Sequence, residues 1–95
     1  MNILNNTRTQ RYFAKHPIVE IYKGYEIRTN GIDKFGFTSY LCDAAIAIYG
    51  ITSTTIEGCR EFIDTLVEQG IKQYDDEAVS RYIYGIKPYN KPYNK

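Results

Sequence analysis

Histidine occurs once in this chain of 95 residues, tryptophan not at all, methionine once, and cysteine twice. Each scarcity removes a class of function. The lone His16 precedes Pro17 in a polar N-terminal stretch that reads as mobile, so a Cys–His or Ser–His pair would need a rigid site where rigidity is least expected. Cys42 and Cys59 have no His or Cys neighbours at ligand spacing and do not make a zinc site. There is no Gly-rich phosphate loop, no His-Glu-x-x-His and no EF-hand loop, and the paired Asp75 and Asp76 are better explained as helix caps than as acid and base. The expectation is a protein without enzymatic activity, cofactor or metal. No run approaches the ~20 apolar residues of a membrane span, and residues 1–6 are too polar for a secretory core. A cytoplasmic protein with reduced, buried cysteines follows, and the sequon at Asn5 then carries no meaning.

What is present begins with one well-marked helix, Thr54 to Gly70. Thr54 followed by Glu57 fits a capping box. Ile56, Cys59, Phe62, Ile63, Leu66 and Val67 recur at spacings of three and four and define an apolar stripe. Gly70 suits the left-handed conformation that closes a helix. Gly58 costs about 1 kcal/mol against Ala in a helix interior, and it marks a close approach to a sheet.

Ninety-five residues make one domain. The spacing of punctuators divides it into a basic N-terminal arm over 1–17, an α+β domain over 18–85, and an extended tail over 86–95. In the arm, Thr7 to Lys15 reads as a short helix capped by Asn6, with Tyr12 and Phe13 as anchors. Ile18–Tyr22 and Tyr25–Thr29 flank Lys23-Gly24 as a hairpin, with Val19 and Ile21 alternating against Glu20 and Tyr22. A loop from Asn30 through Asp33 to Gly36 leads to a third strand, Phe37–Cys42. Asp43-Ala44 reads as a break, and Ala45–Tyr49 as either a fourth strand or the continuation of a bent third one. Connections this short make the sheet an antiparallel meander of three or four strands. Asp75 to Gly85 reads as a short second helix with Val79, Tyr82 and Ile83 inward. The tail repeats Lys-Pro-Tyr-Asn, and its prolines favour an extended, solvated backbone.

Ten tyrosines supply most of the aromatic content. Tyr joins apolar area to a polar tip, which suits binding surfaces as well as cores; before position 50 the core reading is the stronger. Charge is uneven although the total is only +1. Residues 1–28 and 80–95 are basic and residues 57–79 acidic, so the positive charge lies mainly at the chain ends. Glu57, Glu61, Asp64 and Glu68 step along the main helix and form a line of negative charge. That line reads either as a solvated face or as a protein-binding surface that substitutes for phosphates, with Tyr82 and Tyr84 as aromatic contacts beside it. The competing nucleic-acid reading uses Arg8, Arg11 and Lys15 of the arm with Lys87, Tyr89, Lys91 and Tyr93 of the tail.

Tyr22-Lys-Gly-Tyr-Glu-Ile27, an aromatic strand after it, and Thr54-Thr-Ile-Glu-Gly-Cys-Arg-Glu-Phe-Ile-Asp64 together resemble a pattern found in small proteins of phages and mobile elements. The resemblance covers about residues 18–70. It departs at Gly58-Cys59, where the pattern has Glu-Ala, and in the second helix and tail. It implies a β-meander packed by one helix and a role as an inhibitor of host defence, anti-CRISPR proteins among them, acting on a host protein or protein–nucleic acid complex; it transfers no functional residue. Three classes of function stand at this point: a non-enzymatic interaction module, which is preferred, a small nucleic-acid-binding protein, and a small enzyme. A homodimer is compatible with the uncovered strand edges.

Overall fold

The computed structural model describes residues 6–46 and 48–85; the repeat tail lies outside the described residues. The fold is α+β. Four strands, β1 (Ile18–Tyr22), β2 (Tyr25–Ile32), β3 (Thr38–Ala45) and β4 (Tyr49–Ser53), form an antiparallel sheet in chain order, joined by helices α1 (Thr7–Lys15), α2 (Ile56–Glu68) and α3 (Asp76–Tyr84).

The β1–β2 hairpin turns at Lys23 and Gly24, both at positive φ (51° and 85°), the combination that matches the twist of the flanking strands. β3 continues through Asp43 and Ala44, where the expected break is instead a register shift in its pairing with β4, and the chain reverses within the apolar run after Ala45. The fourth strand therefore starts at Tyr49, opposite Ala45 at the end of β3, and Ile46 and Ile48 belong to the turn between them. A continuous apolar run carries no turn residue, which is why periodicity misplaced the break. β2 also extends past Thr29 to Ile32, through a bulge at Gly31, so the β2–β3 hairpin outruns both neighbouring strands.

α2 starts one residue later than its capping pattern suggests. Thr55, not Thr54, is the N-cap, and its hydroxyl accepts from Gly58 N–H at 3.1 Å, while Glu57 turns to Arg60 instead of back to the cap. Its end is a Schellman closure, in which Gly70 N–H donates to Val67 O and Ile71 N–H to Leu66 O around Gly70 at φ 74°. α3 is capped by Asp75, which accepts from Ala78 N–H, and closed by Gly85 at φ 67°.

α2 and α3 cover the inner face of the sheet. Tyr25, Ile27, Cys42 and Ala44 meet Cys59, Ile63, Leu66, Ile71 and Val79 in one core, all nearly or fully buried. Both cysteines are free thiols within it. Tyr49 packs on Phe62 and Tyr82, with ring centroids 5.4 and 6.2 Å apart, and so joins β4 to both helices. Gly58 is where α2 meets the sheet edge: a Cβ there would lie 3.0 Å from Ser53 Cβ of β4. Of the apolar stripe only Val67 is left out, at 37 % exposure.

In β1 the expected faces are exchanged. Glu20 and Tyr22 turn toward α2, while Val19 and Ile21 are 45 % and 66 % exposed. Polar groups on α2 cause this. Arg60 holds Glu20 in a bidentate pair, 2.7 Å on each arm, and Asp64 accepts from Tyr22 Oη at 3.0 Å. Alternation establishes two faces and does not say which one packs.

α1 lies against the outer face, so its residues up to His16 are docked rather than mobile. Arg28 of β2, 7 % exposed, donates to Phe13 O and His16 O at the open end of the helix, pairs with Glu26 at 2.7 Å, and lies 4.0 Å from the Phe13 ring. His16 Nδ1 meets Thr29 O at 3.0 Å. Beyond α2, Gln73 inserts its amide between β2 and β3, accepting from Glu26 N–H and donating to Asp43 O, each at 2.8 Å. A side chain thus stands in for a rung of the ladder.

Candidate interaction surfaces

The β2–β3 hairpin projects beyond β1 and β4, and its tip carries three large apolar side chains. Ile32, Phe35 and Phe37 are 71 %, 73 % and 68 % exposed. The tip is nevertheless tightly organised. Asp33 Oδ1 accepts from the N–H groups of Phe35 and Phe37, both at 2.9 Å; Gly36 N–H donates to Asp33 O at 3.0 Å and Asp33 N–H to Phe37 O at 2.9 Å. This is a three-residue loop in which Gly36, at φ 87°, takes the left-handed position after a turn. One carboxylate is consumed in fixing the backbone, so Lys34, 5.4 Å from the Phe35 ring, is the tip's unspent charge. Residues as bulky as these are normally buried, and their clustering on a pre-shaped protrusion marks a contact surface. Sequence reasoning treated this stretch as a plain loop. Its legible signal was Asp at the first and Gly at the fourth place of a turn flanked by large apolar residues.

The acidic face of α2 is largely engaged within the molecule. Asp64 accepts from Lys23 at 2.8 Å as well as from Tyr22, and these donors, Lys23 foremost, hold its carboxyl below the usual range. Glu57 pairs with Arg60 at 3.1 Å, and hydrogen bonds from Arg60 lower Glu20 likewise. Glu61 and Glu68 form no ion pair among the described residues. Of the line of four charges, Glu61 and Glu68 are thus exposed and form no ion pair among the described residues, Glu57 is exposed but paired with Arg60, and Asp64 is tied to Lys23 and Tyr22. Tyr82 is half-buried against Tyr49, whereas Tyr84 is 67 % exposed.

On the outer face, Arg8, Arg11 and Lys15 are all exposed and follow one another at spacings of three and four, so α1 presents them on one side. They too form no ion pair among the described residues. Beside them, Tyr12 Oη donates to Asp43 at 2.6 Å, and burial, reinforced by Asp43, raises the Tyr12 phenol well above its ordinary value. Lys87, Tyr89, Lys91 and Tyr93 lie outside the described residues.

Among the described residues no group of three His, Cys, Asp or Glu is placed to hold a metal, and no helix is long and apolar enough to cross a membrane. No family model matches the chain, and neither the curated proteins nor the solved structures contain a match.

Proposed function

We propose that the protein is a non-enzymatic interaction module whose docking element is the hairpin tip formed by Ile32, Phe35 and Phe37. The observation that carries this reading is the combination of high exposure with internal hydrogen bonding: the backbone is already ordered, so little entropy is lost when the three side chains enter a cleft. Aromatic anchors entering a desolvated pocket are the usual centre of such interfaces. The occupant of choice is a partner protein with a concave apolar cleft. In keeping with the resemblance to phage and mobile-element proteins, that partner belongs to a host nucleic-acid-processing complex and is inhibited by the contact, as anti-CRISPR proteins act. Glu61 and Glu68 then serve as rim charges that influence encounter more than strength.

Capture of the partner by immobilised protein tests the reading. The Phe35→Ser/Phe37→Ser variant is expected to lose capture by at least about tenfold, equivalent to about 1.4 kcal/mol, while Glu61→Lys/Glu68→Lys retains most of it. Loss confined to the second variant would return the function to the acidic helix face.

A further inference from the structure

The outer face carries a second surface that the hairpin tip does not use. α1 reaches across to Asp43 of β3 but leaves Gly50 and Thr52 of β4 exposed, and two adjoining hollows of about 930 and 470 Å³ open along that side of the helix. Arg8 and Arg11 line the first, while His16, Asn30, Tyr49 and Thr52 line the second; Tyr12 and Asp43 are common to both. The hollows therefore form one groove, with cations at one end, the His16 ring, the Asn30 amide and the Thr52 hydroxyl at the other, and the Tyr12 ring between them, 4.6 Å from that of His16; the Tyr49 ring turns away to Phe62 and Tyr82. Asp43 is the groove's only carboxylate among the lining residues, and its charge is directed onto the Tyr12 hydroxyl at 2.6 Å.

We infer that this groove binds single-stranded nucleic acid, with Arg8 and Arg11 on phosphates, Lys15 extending the cationic side, and the groove end at His16, Asn30 and Thr52 receiving bases. Charge selects a polyanion. Shape and chemistry then choose among polyanions. A bilayer is flat and does not enter a recess between a helix and a sheet. A duplex presents phosphates on a convex cylinder and is too thick for a groove walled by a single helix. An acidic peptide would satisfy the arginines and leave the aromatic, amide and hydroxyl end without a counterpart, whereas a nucleotide offers phosphate, a stacking face and a polar edge together. The folded body of the protein thus supplies both halves of such a site, cations and aromatic side chains. The proposal is independent of the docking role of the hairpin tip, whose residues line neither hollow.

Fluorescence anisotropy of the full chain with a labelled DNA or RNA single strand of about 12 nucleotides tests it. With three cations on phosphates, the logarithm of affinity is expected to fall with the logarithm of salt at a slope near about −2. Arg8→Glu/Arg11→Glu, both exposed, is expected to weaken binding at least about tenfold at about 50 mM salt with an unchanged circular dichroism melt. Thr52→Glu, which places a carboxylate at the other end of the groove, is expected to weaken it too. Phe35→Ser/Phe37→Ser is expected to bind as tightly as the parent, so failure of the docking reading and failure of this one remain distinguishable. Absence of an anisotropy change at low salt, equal affinity for a duplex of the same length, an unaltered affinity in Arg8→Glu/Arg11→Glu, or binding only to anionic vesicles would each overturn the inference.

Discussion

Gly58 shows at the residue scale how a propensity reverses in context. In an exposed helix interior, Gly→Ala adds about 1 kcal/mol of stability; here the added methyl runs into Ser53 Oγ, with Ser53 Cβ behind it at 3.0 Å. Gly58→Ala is expected to destabilise by about 1–2 kcal/mol. Ser53→Ala in the same chain should recover most of that, a coupling that urea unfolding of the four-member cycle measures. The glycine's role as a close approach was legible, because a helix-weakening residue in a well-formed amphipathic pattern has a packing reason. Its cap was not, since Thr54 and Thr55 offer the same hydroxyl and only the final path of the chain distinguishes them. Buried acids give a second test at this scale. Burial pushes Cys42 and Tyr25 each up to about 12, and raises Cys59 as well. The unfolded chain ionises its thiols near about 8.5 and its phenols near about 10. It therefore releases protons before the folded chain does, and stability falls as pH rises through that interval. The urea midpoint is expected to drop between pH about 8 and about 11, and less steeply in Cys42→Ala, in which Cys59 and Tyr25 still contribute.

Elements make their own argument through the β2–β3 hairpin. Its strands hold together beyond β1 and β4 because Asp33 fixes the turn and Asn30 Nδ2 donates to Ser39 Oγ at 3.2 Å across the pair. Asp33→Ala is expected to speed amide exchange at Phe35 and Phe37 at least about tenfold while shifting global stability by under about 1 kcal/mol, because the tip contributes nothing to the core. The Lys23-Gly24 hairpin, α2 and α3 were all legible, since turn residues, caps and helical stripes are local signals. The orientation of β1 was not. Glu20 meets Arg60 across 40 residues and Tyr22 meets Asp64 across 42, and no local window contains either pair. The same contacts withdraw Asp64 from the acidic face that its spacing suggested. Gln73 belongs to this class as well, since its amide acts on backbone groups of β2 and β3 that lie 47 and 30 residues away.

For the whole molecule, the sheet separates two characters. α1 puts three cations that form no ion pair among the described residues on one side, α2 keeps Glu61 and Glu68 on the other, and the apolar hairpin extends beyond the neighbouring strands. The uneven charge along the chain foretold the sign of each side, whereas the protrusion follows from the unequal strand lengths, which composition does not encode. The docking role of Phe35 is tested most directly by placing a photo-crosslinking benzophenone residue there in cells and, as a control, at Thr65 on the exposed side of α2. The expected result is a discrete adduct with one protein from position 35 and none from position 65. Adducts of equal yield from both positions, or none from position 35, would contradict it.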